Sequence, residues 1–403
     1  MSGPLTTASA PQISVLFVDD EQNVRSGLQR MLRGMRGSWN MRFAGSGNEA
    51  LEMMRTLPAD VVVSDMRMPG MDGRELLARI EQGFPNTVRI ILSGQCDREN
   101  TLRTVGRTHL FLAKPCETDR LIDAINRACR LRAKNRESRL ANTGAGLRDV
   151  PEPPAVYLDL VAALEAPEVS AEAVTRILDK DAALAATLLD LLNATPLVGS
   201  RPMAATAQAY QLLGPDLLPP FVLKSCLTNQ LDCRDRDADN IAHCLRAAII
   251  GRQIAHDIGL DPHDVSSAFS AGLLHDVGSW MLWSRLPGRY AGIVDQAPSE
   301  GGRRRELERR EFGATHAEVG ASLLERWDLP LAVVEAVAFH HEPALSGVQA
   351  ISVVGAVHVA SAIADRANGE EADLDRAYLS GSGMLERIEG WRGSEISLGS
   401  QTT

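Results

Sequence analysis

The stretch VVVSDMRMPGMDG (residues 61–73) places a short apolar run directly before an aspartate and a turn rich in glycine and proline. A run without polar alternation is typical of a strand buried on both faces of a parallel sheet. With 60–64 as this strand, four similar runs occur in the first 133 residues, at 13–18, 39–44, 88–92 and 109–113. Amphipathic stretches separate the runs. The alternation predicts an α/β domain, a doubly wound five-stranded parallel sheet with helices on both faces.

Charged and hydroxyl side chains stand at the ends of four of these predicted strands. Asp19 and Asp20 follow the first strand, Asp65 the third, Ser93 the fourth and Lys114 the fifth. In an open parallel sheet, ligands bind beyond the carboxyl ends of the strands. We therefore expect these five residues to converge on one edge of the sheet.

Three carboxylates at one edge repel each other unless a cation lies between them. Mg²⁺ prefers oxygen ligands and keeps part of its water shell. The predicted magnesium site consists of Asp19, Asp20, Asp65 and the backbone carbonyl of Arg67.

Phosphoryl transfer is the chemistry that this set of residues favours. A carboxylate can act as a nucleophile and form an acyl-phosphate, and Asp65 is the candidate. Lys114 would neutralise charge on the transferring group, and the Ser93 hydroxyl would bond a phosphoryl oxygen.

Four motifs in this part of the chain resemble the receiver domain of two-component response regulators, over residues 13–132. They are VLFVDDE (15–21), SDMRMPGMDG (64–73), ILSG (91–94) and FLAKP (111–115). The resemblance implies a flavodoxin-like fold and phosphotransfer from a sensor histidine kinase to Asp65. It also implies that Phe111 is an aromatic switch residue, although a buried phenylalanine on a strand has an equally simple role in the core. Homodimerisation through the receiver is a further expectation from the family.

Composition divides the chain into five segments. We expect an N-terminal disordered tail at 1–12, the receiver domain at 13–133, a linker at 134–154, an all-α domain at 155–390 and a second disordered tail at 391–403. Glycine and proline cluster in the linker, and the long segment after it shows helical periodicity without strand alternation.

Eight of the nine histidines lie after residue 240, on predicted helices. Imidazole and carboxylate ligands suit iron, manganese or zinc, and a helical bundle can build a metal site from facing helices. The candidate ligands are His243, His275, Asp276, His316, His340 and His341. Each of them taken alone is better explained by a structural role, such as a hydrogen bond at a helix end, than by metal ligation.

Three of the histidine-containing motifs resemble the HD superfamily of metal-dependent phosphohydrolases, and in particular its HDOD branch. They are HDVGSW (275–280), THAEVGASLLERWDLP (315–330) and AFHHEP (338–343), and ILDKDAALAATLLDLLNATPLVG (177–199) resembles the segment that opens HDOD domains. The resemblance covers about 155–365. It implies a helical output domain from a family without an established enzymatic activity.

The sequence departs from the active HD-GYP phosphodiesterases of this superfamily at three points. Ser279 stands where they carry a lysine, and Pro343 stands where their GYP segment would begin. Their last metal-binding aspartate falls near Ser361, and Asp365 lies one helical turn later, on nearly the same face. These departures favour an output domain with an incomplete, vestigial metal site.

Composition also limits the partners. A net charge of −10 argues against a nucleic-acid surface. The sequence shows no membrane span and no secretory signal, and its six cysteines form no CxxC pair, which fits a cytoplasmic protein.

The sequence therefore predicts a response regulator. A sensor histidine kinase phosphorylates Asp65, and a non-catalytic HDOD domain signals through a downstream protein not identifiable from the sequence. The alternative is a phosphorylation-regulated HD-type phosphodiesterase acting on a cyclic dinucleotide or a similar phosphoester.

Overall fold

The structure is a computed structural model of the 403-residue chain. It describes residues 12–84, 87–93, 110–114, 116–137, 151–164, 166, 169–195, 198, 201–231, 238–297, 301–327, 329–348, 351–367 and 374–393. The chain divides into two compact units, 1–129 and 130–403.

The first unit is the predicted doubly wound parallel sheet. Its strands are β1 (Ile13–Val18), β2 (Trp39–Ala44), β3 (Val61–Asp65), β4 (Val88–Ser93) and β5 (Leu110–Ala113). Its described helices are α1 (Gln22–Met31), α2 (Gly47–Thr56), α3 (Gly73–Gly83) and the first part of α4 (Thr118–Glu137), which runs past residue 129, with a 3₁₀ turn at Arg33–Gly37. All neighbouring strands are parallel, in the order β2-β1-β3-β4-β5. The predicted fold class is confirmed.

The strand order reverses between β1 and β3, and this reversal places the candidate site. The two strands pair from Val15 against Val61 to Val18 against Ser64, so that they end at nearly the same level. Helices leave β1 and β3 toward opposite faces at such a switch point, and a crevice opens beyond the strand ends. Asp19 and Asp65 stand at this crevice.

The second unit is helical throughout its described residues. Its helices are α5 (Ala155–Leu164), α6 (Ala171–Leu178), α7 (Ala182–Asn193), α8 (Thr206–Gln230), α9 (Ala238–Asp257), α10 (Pro262–Leu274), α11 (Val277–Arg285), α12 (Pro287–Gln296), α13 (Gly301–Phe312), α14 (His316–Arg326), α15 (Leu331–Phe339), α16 (Val353–Ala367), α17 (Arg376–Leu379) and α18 (Ile388–Gly393). Short 3₁₀ turns lie at Pro343–Ser346 and Leu385–Arg387. No described helix is both long and apolar enough to cross a bilayer.

The sequence shows unbroken helical periodicity over 171–193 and over 265–283, and the structure divides each of these segments into two helices. The segment 171–193 divides at Asp181, whose side chain accepts hydrogen bonds from the first N–H groups of α7. The segment 265–283 divides at His275 and Asp276, between α10 and α11. Helical periodicity continues across both breaks, and for this reason the sequence alone did not show them.

The ends of the helical unit extend beyond the predicted segment 155–390. Pro151 accepts a hydrogen bond from Trp327 Nε1 at 2.7 Å, so the last linker residues pack on this unit. At the other end, α18 reaches Gly393, and Trp391 is buried with its Nε1 donating to Asp257 Oδ2 at 3.0 Å. The predicted tail therefore begins with ordered helix; positions 394–403, like 1–11 and 138–150, lie outside the described residues.

Candidate functional site

The edge of the sheet brings together Asp19, Asp65 and Lys114, from the ends of three strands. Lys114 Nζ lies 2.8 Å from Asp19 Oδ2 and makes a closer contact with Asp65 Oδ1. Asp19 is buried, whereas Asp65 and Lys114 are partly open to solvent. The arrangement presents one partly exposed carboxylate beside a lysine ammonium.

Backbone groups hold the two carboxylates in place. Asp19 Oδ1 accepts from the N–H of Glu21 at 2.9 Å, and Asp65 Oδ2 accepts from the N–H of Arg67 at 2.9 Å. Gly73 allows the loop after β3 to fold back, because a Cβ at this position would lie 2.2 Å from the backbone oxygen of Asp65. Both carboxylates are thus oriented by the turn that follows their strand.

The remaining predicted residues of this edge have mixed outcomes. The Asp20 side chain is exposed and does not share the Lys114 contact. The backbones of Ser93 and Phe111 lie in β4 and β5, but their side chains are outside the described part of the structure.

Charge at this edge suits a divalent cation. Burial lowers the pKa of Lys114, but the hydrogen bonds and charges of Asp19 and Asp65 outweigh it, and the net pKa is raised. Lys114 is therefore a permanent cation that offsets one of the two carboxylates it touches. The oxygen donors of Asp19, Asp20 and Asp65 leave an excess of negative charge that fits Mg²⁺.

The second candidate site lies in the helical unit, where all six predicted ligands converge. They form two groups of potential donor atoms, each within 4.8 Å: one of His243, His275 and Asp276, the other of His316, His340 and His341. The six residues come from α9, the α10–α11 junction, the start of α14 and the end of α15.

Asp276 connects the two groups. Its Oδ2 lies 3.8 Å from His275 Nε2, and its Oδ1 lies 3.5 Å from His316 Nε2. Asp276 precedes α11 at a position where an aspartate commonly caps the helix, yet its side chain makes no capping bond. It accepts instead from Asn240 Nδ2 at 3.1 Å, which directs the carboxylate into the cluster.

Hydrogen bonds on the outer ring nitrogen fix the orientation of three histidines. His275 Nδ1 donates to the carbonyl of Gly272 and His340 Nδ1 to that of Val337, each at 2.8 Å, while His316 Nδ1 lies 2.8 Å from Glu308 Oε2. Each Nε2 is thereby left as a lone-pair donor facing the cluster. Metal-binding histidines characteristically have this second hydrogen bond.

The Nε2 atoms meet at the centre of the cluster. His243 Nε2 and His275 Nε2 are 2.9 Å apart, and His316 Nε2 and His341 Nε2 are 3.0 Å apart. His340 Nε2 is buried and has no hydrogen-bond partner. An imidazole lone pair buried without a donor is costly unless a metal takes it, so the donor set fits a transition metal.

Protonation states also favour ligation. Burial, with the neighbouring His275, lowers the pKa of His243 to about 4, and burial lowers those of His275, His340 and His341. These rings are therefore neutral near pH 7, the form in which imidazole binds metals.

Asp276, in contrast, is ionised. Burial raises the pKa of its carboxyl, but the surrounding imidazoles and the Arg304 guanidinium outweigh this effect and hold it well below the usual range. The candidate ligands thus include one negative charge, on Asp276, and the neutral imidazoles of His243, His275, His340 and His341.

A close contact between α11 and α14 sets the distance from Asp276 to His316. A Cβ added at Gly278 would lie 1.9 Å from the carbonyl oxygen of His316 and 2.6 Å from the backbone nitrogen of Gly320. Thr315 and Glu318 form a capping box that fixes where α14 begins.

We therefore expect Gly278→Ala to destabilise the protein, because the added methyl group forces α11 and α14 apart. Overpacking of this kind costs about 1–3 kcal/mol or more of the free energy of unfolding. Urea denaturation measures the effect. Gly288→Ala on α12, where no atom lies within 4 Å of the added Cβ, is the control. Equal stability of the two variants would show that the α11–α14 contact relaxes without cost.

Sequence reasoning missed several residues that support the cluster. Glu308 is fully buried and pairs with His316. In the sequence it lies in a segment of mixed charge, which is typical of an exposed helix face and gives no sign of this pairing. Asn240, which holds Asp276, carried no signal. Asp365 lies 3.4 Å from His243 Nδ1, the outer nitrogen of that ring. It therefore contacts His243 from outside the cluster and does not take the place of the missing ligand near Ser361.

The fold and the two sites define a class: a flavodoxin-like domain with an acidic, lysine-containing edge, joined to a helical domain with a His–Asp cluster. Family comparison agrees. Residues 15–126 match the model of the response regulator receiver domain, and residues 150–343 match the model of the HDOD domain. The chain therefore carries a response regulator receiver domain followed by an HDOD domain.

The individual relatives described next each match part of the chain. The hydrogenase transcriptional regulatory protein HoxA of Cupriavidus necator is 33% identical over 122 residues, which is 30% of this chain and 25% of that protein. The DNA-binding transcriptional regulator NtrC of Klebsiella pneumoniae is 34% identical over 113 residues, or 28% of this chain and 24% of that protein. This chain thus matches about a quarter of the length of these curated relatives.

Among solved structures, the chain is similar to an HDOD domain protein with unknown function from Geobacter sulfurreducens. It is 22% identical, with a TM-score of 0.45, and the match covers 66% of this chain and 99% of that one.

Proposed function

We propose that the chain is a two-component response regulator that accepts a phosphoryl group on Asp65 from a sensor histidine kinase. The observation that carries the proposal is the contact of Lys114 Nζ with both Asp65 and Asp19 at the switch point of the sheet. A partly exposed carboxylate with an adjacent fixed cation suits nucleophilic attack on phosphorus.

In the transfer step, a carboxylate oxygen of Asp65 forms a bond to phosphorus as the bond from phosphorus to the kinase imidazole breaks, and the imidazole recovers a proton. Lys114 stays protonated and neutralises charge on the transferred group. Mg²⁺ bound through Asp19, Asp20, Asp65 and the Arg67 carbonyl would supply further charge neutralisation when present.

The acyl-phosphate changes the partners of Lys114. Its Nζ contacts a carboxylate oxygen of Asp65 in the unphosphorylated protein, and phosphorylation replaces that oxygen with a more negative group. The proposed response is a shift of a two-state equilibrium, with Ser93 and Phe111 as switch residues. The HDOD domain then acts as a non-catalytic output toward a downstream protein or a second copy of the chain.

Beryllofluoride, an acyl-phosphate mimic, tests this proposal. We expect it to change hydrogen exchange in the helical unit, or the molar mass in light scattering, when Mg²⁺ is present. Asp65→Asn protein treated in the same way is the control. Unchanged exchange and unchanged mass in the wild-type protein would exclude a phosphorylation switch.

A second candidate function, metal-dependent phosphoester hydrolysis by the HDOD domain, has one specific observation in its favour. Six ligands converge and the Nε2 of His340 is left without a partner, which supports a bound transition metal. Two features argue against catalytic turnover. Position 279 holds a serine where the active phosphodiesterases carry a lysine, and Asp365 contacts the outer nitrogen of His243 and not the centre of the cluster. Cyclic dinucleotide hydrolysis by manganese-loaded protein, abolished by His340→Gln, would establish it.

A further inference from the structure

Lys224 is a fully buried cation without an acceptor in the described part of the structure. It lies in the second half of α8, beyond the kink at Gly214, and its Nζ has no hydrogen-bond partner. The ammonium lies 3.4 Å from the ring centroid of Trp280. The indole face attracts a cation, but it satisfies none of the three N–H donors. A buried ammonium in this situation requires an anion or another acceptor.

The same lysine is adjacent to the His–Asp cluster. Trp280 Nε1 donates to Asn240 Oδ1 at 2.9 Å, and Asn240 in turn donates to Asp276. The charge of Lys224 also adds to burial in lowering the pKa of His243 and of His275. Lys224 is therefore linked to Asp276 through Trp280 and Asn240, and its charge acts on the half of the cluster that contains these two histidines.

Charge balance in this half of the cluster favours an anion. Asp276 is the one carboxylate among the six candidate ligands, and Asp365 contacts His243 from outside. A divalent metal together with Lys224 brings three positive charges against these two. Other cations lie nearby. Arg304 already contacts Glu308, Tyr290 and Ser279, and the charge of Arg246 adds to the positive charge around His243.

We propose that Lys224 is an anion-binding residue of the HDOD domain, and that it donates to an oxygen of a phosphate group held at His243, His275 and Asp276. The inference rests on the proposed metal site. It gives that site a ligand class, orthophosphate or a phosphate monoester, to which lysine binds as a point charge. Position 279 holds a serine where the active phosphodiesterases carry a lysine, and in this proposal Lys224 on α8 supplies the positive charge instead.

The test compares three full-length proteins: the wild type, Lys224→Met and Lys180→Met. Each protein is loaded with Mn²⁺ and analysed for metal. It is then titrated calorimetrically with orthophosphate and with adenosine 5′-monophosphate. Lys180 is largely exposed and serves as the control. The receiver domain is identical in all three proteins, so any difference arises in the helical unit. We expect equal metal content and a loss of phosphate affinity of roughly tenfold to a hundredfold in Lys224→Met alone.

The outcomes separate the two proposals. Metal-loaded wild-type protein that binds neither ligand, or Lys224→Met with wild-type affinity, overturns the anion role and leaves the metal site intact. Protein whose helical unit holds no metal, shown by a manganese content that Asp276→Asn leaves unchanged, overturns the metal site. A phosphate affinity that still depends on Lys224 would then support the anion role alone, and an affinity that does not depend on Lys224 would overturn both proposals. Preference for the monoester or for orthophosphate identifies the source, and either preference supports the proposal.

Thermal unfolding adds a readout that distinguishes ligand binding from a structural role. If the ammonium awaits an anion, Lys224→Met removes an unpaired buried charge, and the melting temperature of the metal-free, phosphate-free protein rises. If the ammonium–indole contact serves the fold, the melting temperature falls, and the proposal is overturned.

Discussion

Replacement of Asp65 by asparagine is expected to abolish acyl-phosphate formation. The amide oxygen of asparagine carries no negative charge and is a poor nucleophile, so no bond to phosphorus forms. Lys114 keeps its contact with Asp19, at 2.8 Å, and the edge of the sheet retains its shape. Incubation with acetyl phosphate and Mg²⁺, followed by intact-protein mass spectrometry, measures the added phosphoryl group. We expect the adduct in the wild-type protein and a signal below detection in Asp65→Asn.

The matched control for this experiment is Asp119→Asn. Asp119 is an exposed aspartate of the first turn of α4, in the same domain. The Asp119→Asn substitution removes the same negative charge and leaves the contacts of Lys114 intact. We therefore expect phosphorylation at the wild-type level. An adduct of equal yield in Asp65→Asn would place the acceptor elsewhere and would remove the basis of the proposed switch.

The receiver fold could be predicted in detail because its information is local. Four of the five strands are mainly apolar runs with a polar residue at their end, as in β1 before Asp19 and β3 at Asp65, and the boundaries of β1 and β3 agree with the structure within one residue. The switch-point rule then places the ends of β1 and β3 together. A repeating pattern of strand and helix fixes the topology without any knowledge of long-range contacts.

The sequence predicts that the second unit is helical, but it does not predict how the helices pack against each other. Helical periodicity marks an apolar face, yet it does not show which helix that face meets. The break at His275–Asp276 and the approach of Gly278 to Gly320 depend on packing between helices distant in sequence. The six candidate ligands were recognised from their motifs, whereas Lys224 lay in an ordinary apolar helix and carried no signal. Its importance follows from its burial without an acceptor.

Loss of the carboxylate of Asp276 is expected to remove bound metal from the HDOD domain. Asp276 lies 3.8 Å from His275 Nε2 and 3.5 Å from His316 Nε2, and it supplies the one negative charge among the six candidate ligands. Asp276→Asn leaves a cation with imidazole ligands and no carboxylate among the six candidates. Loss of an outer-shell partner costs roughly 10- to 100-fold in metal affinity, and the loss of a charged ligand shared by both halves of the cluster should exceed that range.

Elemental analysis of anaerobically purified protein for iron, manganese and zinc measures this effect. Asp295→Asn removes the same charge from an exposed position on α12 and should retain the wild-type metal content. His340→Gln provides an independent check. The Nε2 of His340 is buried without a hydrogen-bond partner, so a bound metal is the ligand that would explain its position. Wild-type metal content in both Asp276→Asn and His340→Gln would exclude the cluster as the binding site. Near-stoichiometric metal in the wild type, lost in both variants, would instead make the HDOD domain a metalloprotein and justify the search for its phosphate ligand.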